Sequence, residues 1–311
     1  MSIHSRQSPE VNRADTEMVP DPAELSTMNY SGHTHNTAPT RFAQAGGISF
    51  AYRRFGNPVG APIVLLQHFM GNLDNYDPAI TDALASRREV VLTDNAGVGL
   101  STGEAPMTVS GMARDAASFI DALGLERADL FGFSMGGYVA QQIAVDRPEL
   151  VRRLILVGTG PRGGEGMAQL APDTAPLFAK VYDPQDLMWL PIFFSPSEES
   201  QAAGRRFLER IRARTEDRDA PVSEVTVAAH SAAAREWGAG AKDSFDYLKG
   251  ISHPTLVVNG SNDIVVATVN SYLLQQNLSN AELILFPDSN HGSHFQFTEQ
   301  FSRYASDFLD R

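Results

Sequence analysis

From Thr40 onward the chain alternates short aliphatic runs with longer stretches in which apolar positions recur at helical spacing. That alternation predicts an α/β architecture, a mostly parallel sheet covered by helices on both faces. Eight strands are expected, over residues 41–45, 48–55, 63–67, 90–93, 130–133, 154–157, 256–259 and 283–286. Gly46-Gly47 separates the first two and signals a hairpin. Later runs, such as Ile63-Val64-Leu65-Leu66 and Leu154-Ile155-Leu156-Val157, are aliphatic without polar alternation, as strands buried on both faces require. Helices are expected over 78–85, 109–123, 135–145, 268–276 and 298–309. No internal repeat is visible.

The alternation stops at Gly160 and resumes near His253. Residues 160–250 carry helix-like stretches without a convincing aliphatic strand, so they read as a helical insertion in a core formed by 40–159 and 251–311. The insertion holds the run Met188-Trp189-Leu190-Pro191-Ile192-Phe193-Phe194 and also Trp237. These residues serve either to dock the insertion on the sheet or to line a substrate pocket, and Trp189, Phe193, Phe194 and Trp237 are the candidate lining. Arg205, Arg206, Arg210, Arg212 and Arg214, interspersed with apolar residues at helical spacing, read as a solvated helix face. Residues 1–39 are polar and Pro-punctuated, without a periodicity that could bury a face, and read as a flexible arm. His33 and His35 in that arm lack a third ligand and are expected to be solvated rather than bound to metal.

Composition narrows the functional classes. The 311 residues are 42% hydrophobic and 20% charged, enough to bury a large core. With 25 Lys and Arg against 37 Asp and Glu, the net charge of −12 lacks the basic footprint of a nucleic-acid partner. The absence of cysteine excludes a disulfide framework, a thiolate zinc site and a cysteine nucleophile. No hydrophobic run approaches the roughly 20 residues of a membrane span, and the N-terminus shows no secretory signal, so a cytoplasmic protein without a membrane partner is expected.

Candidate chemistry centres on Gly132-Phe133-Ser134-Met135-Gly136, a G-x-S-x-G run between a predicted strand and a predicted helix. A serine at such a turn sits in a strained backbone, and the flanking glycines let neighbouring segments approach. A serine hydroxyl is a weak nucleophile and needs a base oriented by an acid. Asp263 follows the strand at 256–259, and His291 lies in the loop after the last strand. In an open parallel sheet such loops gather at one edge, so Ser134, Asp263 and His291 can converge. Asp288 competes for the acid role and His294 for the base, although His294 reads better as a supporting group behind the site or a surface group.

With these residues in this order, residues 40–311 resemble the α/β-hydrolase superfamily. Asp94-Asn95-Ala96-Gly97-Val98-Gly99 resembles its glycine turn, and the helical insertion sits where the family places its cap. The resemblance implies an eight-stranded, mostly parallel sheet with an inserted cap, and it favours Asp263 as the acid. Met135 beside the serine, with Asn290 and Gly292 flanking His291, resembles lactonase-like, perhydrolase-like and carbon–carbon hydrolase members. An oxyanion hole needs two preorganised donors. Met135 offers one backbone N–H, and the loop after the strand at 63–67 places Phe69 at the family's second donor position. Relatives usually carry His-Gly where this chain has Gln67-His68, so His68 adds bulk there. It reads as structural support, with direct substrate contact as the alternative.

The expected function is a cofactor-free, metal-free serine hydrolase acting on a small or medium apolar ester, lactone or related carbonyl compound. The rivals are perhydrolysis or carbon–carbon cleavage by the same residues, and a ligand receptor on a hydrolase fold. The expected partner is a small-molecule substrate. A homo-oligomer, with the arm docked on a second subunit, remains an open alternative.

Overall fold

A computed structural model describes residues 32–240 and 245–311. Eight strands form one sheet: β1 (Arg41–Ala45), β2 (Ile48–Gly56), β3 (Ile63–Leu66), β4 (Glu89–Thr93), β5 (Ala128–Phe133), β6 (Val151–Val157), β7 (Thr255–Gly260) and β8 (Ala281–Phe286). Their order is β1-β2-β4-β3-β5-β6-β7-β8. β1 and β2 form an antiparallel hairpin, and β2 pairs antiparallel with β4. Every later pairing is parallel. The order reverses direction at β3, so the loops after β3 and β5 open side by side at the carboxyl edge, where ligands bind in open α/β sheets.

Helices α1 (Pro78–Ala85), α2 (Val109–Ala122) and α3 (Met135–Asp146) belong to the crossovers, and α8 (Val269–Asn277), α9 (Ser293–Gln296) and α10 (Thr298–Asp310) follow β7 and β8. The period-two pleat divides each central strand between two apolar layers. Val64, Leu66, Leu154 and Leu156 pack with α2, α3 and α8, whereas Ile63, Leu65, Ile155 and Val157 pack with α1 and α10. Both faces are therefore covered, which accounts for the absence of polar alternation in these strands. α3 is the most enclosed helix, with every residue from Met135 to Ala144 buried.

Between β6 and β7 lie α4 (Ala175–Ala179), α5 (Trp189–Phe193), α6 (Glu198–Ile211) and α7 (Glu224–Gly238), and no strand occurs among the described residues of this insertion. Two of the five arginines, Arg210 in α6 and Arg214 just after it, depart from the expected solvated face. Arg205 and Arg206 are exposed. Arg210, by contrast, grips Asp77 with two bonds of 2.7 and 2.6 Å, and Asp77 caps α1 through the Ala79 N–H. Arg214 is buried and donates to the carbonyls of Asn36 and Ala38 at 3.0 and 2.9 Å.

Those carbonyls also revise the reading of the arm. Residues 1–31 lie outside the described residues, but residues 32–39 pack on the core, and only His33 of the two histidines is exposed. His35 is 1% exposed, with Nδ1 2.9 Å from Thr81 Oγ1 and its backbone N–H donating to Asp82. Burial, followed by the nearby charges of Arg53 and Arg214, lowers its pKa to about 3 and keeps it neutral. A buried guanidinium needs acceptors, and the carbonyls around His35 supply them to Arg214 from far along the chain. No helix among the described residues is long and apolar enough to cross a membrane.

Candidate active site

β5 ends at Phe133 and α3 begins at Met135, leaving Ser134 alone in the turn at φ 54°, ψ −118°. A non-glycine residue at positive φ carries strain of order 1–3 kcal/mol and persists only where its surroundings dictate it. Here the Ser134 N–H donates to Val157 O at 2.8 Å, and its carbonyl accepts from Thr159 Oγ1 at 2.8 Å. The flanking glycines permit the turn. A Cβ at Gly136 would lie 2.0 Å from Leu66 O, and one at Gly132 would lie 2.4 Å from Gly136 O.

The three sequence-derived side chains meet at this turn. Ser134 Oγ is 2.8 Å from His291 Nε2, and His291 Nδ1 is 2.8 Å from Asp263 Oδ2. A carboxylate only accepts, so Nδ1 carries the proton, and Nε2 is left to accept from the serine hydroxyl. The second oxygen of Asp263 receives the N–H groups of Val265 and Val266 at 2.8 and 3.0 Å, which fixes the carboxylate plane. Asn290 ties the two loops together, because its Oδ1 accepts from both His291 N–H and Ile264 N–H at 2.8 Å. All three side chains are buried.

The competitors fall away on geometry. Asp288 is exposed and accepts from Ser197 Oγ at 2.6 Å, away from His291. His294 is buried rather than on the surface, packed against Phe133 at 4.5 Å and Phe301 at 5.5 Å between ring centres. Burial, with the neighbouring His291 and His68, drives its pKa well below the ordinary imidazole value.

The loop after β3 is closed by Gln67, whose side-chain amide donates to Asn72 O at 2.7 Å while its oxygen accepts from His68 N–H at 3.0 Å. This clamp presents Phe69 beside Ser134 and Met135 in one cavity wall. His68 donates from Nδ1 to Phe69 O at 2.9 Å and is boxed in by Trp189, Phe133 and Phe193 at 4.8–5.3 Å. Burial lowers its pKa to about 3, so it is a neutral packing element that also borders the cavity.

The cavity has a volume of about 190 Å³ and is lined mainly by apolar side chains, with Ser134 and His291 in its wall. Trp189 and Phe193 line it as expected, whereas Phe194 and Trp237 do not. Phe194 instead packs on Phe207 at 5.8 Å. Trp237 stacks on Tyr138 at 5.4 Å, and its indole N–H donates to Gly160 O. Phe194 is thus consumed in packing within the insertion, and Trp237 in docking the insertion on the core. Lining residues missed from sequence include Tyr138, Met167, Phe178 and Val265. Tyr138 carried a usable signal, four residues after Ser134 and so on the same face of α3. Among the described residues, no group of three or more His, Asp or Glu side chains could hold a metal ion.

A second titratable cluster joins the insertion to the core. Asp94, at the end of β4, accepts from Leu73 N–H at 2.8 Å and faces Asp219 from the insertion. The two carboxyls crowd one spot, since a Cβ at Gly99 would lie 2.3 Å from Asp94 Oδ2 and 2.7 Å from Asp219 Oδ1, and two acceptors so placed are reconciled by a proton between them. Burial, and then the partner's charge, raises Asp94 well above the usual carboxylate range. Burial, and then the charge of Asp74, raises Asp219 to about 6. Asp74 is itself paired with Arg53 at 2.8 Å and accepts from Asp219 N–H at 2.7 Å.

Comparison with known proteins then decides the family. Residues 61–298 match the family model described as alpha/beta hydrolase fold. The chain belongs to the alpha/beta hydrolase fold family. A solved member from Chitinophaga pinensis, described as an alpha/beta hydrolase fold protein, is 39% identical with a TM-score of 0.84, covering 89% of this chain and 99% of that one. Est816, described as an N-acyl homoserine lactone degrading enzyme, is 27% identical with a TM-score of 0.67, covering 86% of this chain and all of that one. A Rhizobium rhizogenes relative, provisionally named as the carbamate hydrolase RutD, is 29% identical over 80% of this chain and 93% of its own length. These relatives are named for different activities while the fold is shared.

Proposed function

We propose that the protein is a serine hydrolase that cleaves an ester or lactone of small to medium size and apolar character. The observation that carries this reading is the unbroken line of 2.8 Å contacts from Asp263 through His291 to Ser134, ending in the wall of an apolar cavity. In this mechanism Ser134 Oγ attacks the carbonyl carbon as His291 Nε2 takes the hydroxyl proton. Asp263 stabilises the imidazolium and holds its orientation. The N–H groups of Phe69 and Met135, neither of which has an acceptor among the described residues, receive the negative oxygen. His291 then protonates the leaving alcohol, and the acyl group stays on Ser134. A water that gives its proton to His291 attacks the acyl carbon, releasing the acid and restoring the serine. The lactone-degrading neighbour supports a carbonyl–oxygen bond as the target, and the apolar lining supports a hydrocarbon body.

A panel of esters and lactones of graded chain length, with product identification, tests the proposal. Release of the acid and alcohol, lost in Ser134→Ala, is expected. Products of peroxide addition or carbon–carbon cleavage in place of acid and alcohol would assign the same residues to a different reaction.

A further inference from the structure

Trp189 borders two separate hollow spaces. One is the cavity with Ser134 in its wall. The other, also about 190 Å³, is bounded by Trp189 together with Met70, Asn72, Pro184, Arg218 and Val222. Among the described residues, Trp189 is the one side chain common to both linings. We infer that the Trp189 indole is a fixed partition that sets the longest substrate chain the Ser134 cavity accepts. As a statement about substrate class, this rests on the serine hydrolase reading; as a statement about the shape of the cavity, it does not.

Three contacts make the indole a wall rather than a swinging door. It stacks on Phe193 with centres 4.7 Å apart and planes 8° from parallel. It meets the His68 ring edge-on at 4.8 Å and 83°. Its stacking partner is itself pinned, because the Phe193 carbonyl accepts from Gly292 N–H at 2.9 Å, next to His291 in the chain. Rotating the indole away would break both ring contacts at once, in an interior where side chains hold single packed arrangements. The two spaces differ in chemistry. The near one is mostly apolar, while Asn72, Asp186 and Arg218 border the far one. With the indole in place, a chain running from Ser134 toward Trp189 ends in an apolar pocket. Without it, the same chain would continue into a space bordered by polar groups.

Binding of straight-chain primary alcohols from butanol to dodecanol, followed by calorimetry, reads the partition without any turnover. In the wild type, affinity should rise about fourfold per methylene, the transfer free energy of one buried CH₂, and then stop at a cut-off. Trp189→Ala should move that cut-off to longer chains, and an alcohol two methylenes past the wild-type limit should bind about fifteenfold tighter. Trp189→Phe retains a ring on Phe193 and should move the cut-off less, which guards against a poorly folded alanine variant. Val222→Trp in the Trp189→Ala background refills the far space and should restore the wild-type limit. An affinity that rises without a cut-off in the wild type, or a cut-off unmoved in both Trp189 variants, overturns the inference. A shifted cut-off in a protein that neither turns over esters nor reacts at Ser134 would uphold the partition and refute the proposed reaction.

Discussion

The carboxyl edge of the sheet and the helical insertion facing it are built by different means. At the sheet edge, position is enforced by backbone: Ser134 is held by main-chain bonds and by glycines whose Cβ atoms would strike neighbouring carbonyls. Asp263 and His291 are held by N–H groups and by the single amide of Asn290. Across from it, the insertion is attached largely by side chains, through Arg210 on Asp77, Trp237 on Tyr138 and the Asp94–Asp219 carboxyl pair, with the Gly292 N–H to Phe193 carbonyl bond as a main-chain tie. Chemistry that tolerates little displacement sits on the backbone-held side. The side-chain-held wall is free to differ in shape without disturbing the reacting groups.

Substitutions on the two sides should therefore fail differently. Ser134→Ala should lower kcat at least about a thousandfold with the fold retained, and adding His291→Ala should cost little more, because the two act as one unit. Steady-state kinetics of the single and double variants checks this, and additive losses would show that the residues act separately. Next in size, Gly136→Ala drives a Cβ into the Leu66 carbonyl and should destabilise the protein by about 3 kcal/mol or prevent folding. Gly166→Ala, in the insertion at φ +71° with open space around it, should cost only about 1 kcal/mol. Urea unfolding compares the pair, and equal costs would erase the contrast drawn between the two regions.

Arg210→Ala leaves the buried Asp77 carboxylate without its partner and should cost about 2 kcal/mol, whereas the exposed Arg205→Ala should be nearly neutral. The smallest effect is a pH dependence. Asp219 holds its proton to about pH 6 in the folded protein but only to the ordinary 3.8 when unfolded. The stability it contributes is therefore present at low pH and lost as pH rises through about 6. The buried neutral histidines, His35 and His68, act in the opposite sense and remove stability as pH falls below 6.5 toward about 3. Asp219→Asn should thus gain on the wild type as pH rises from 4 to 7, with the acid-side loss unchanged. Parallel unfolding curves for the two proteins across that range would contradict the shared proton.

The same contrast explains what the sequence disclosed. The inner part of β6, residues 154–157, was legible because burial on both faces leaves an aliphatic run, whereas its start was hidden by the partly exposed Arg152 and Arg153; Ser134 was legible because its turn demands glycines at fixed offsets. Asp263 and His291 were legible because strand ends bring their loops together. His35 was not, since its burial depends on Arg214, which is 179 residues away. Nor was the split among the four aromatic candidates of the insertion. Nothing in the residues around Trp237 shows that the docking of α7 on Tyr138 removes it from the cavity, while Trp189 stays in the wall. The pairing of Asp94 with Asp219 likewise joins positions that no local pattern connects.

Whether Ser134 is a nucleophile activated by His291 and Asp263 is read by reaction with a fluorophosphonate, followed by intact mass and peptide mapping. One equivalent of label on Ser134 is expected, lost in Ser134→Ala and strongly slowed in His291→Ala. Label on another residue, or a folded protein that hydrolyses esters while Ser134 stays unmodified, would contradict it.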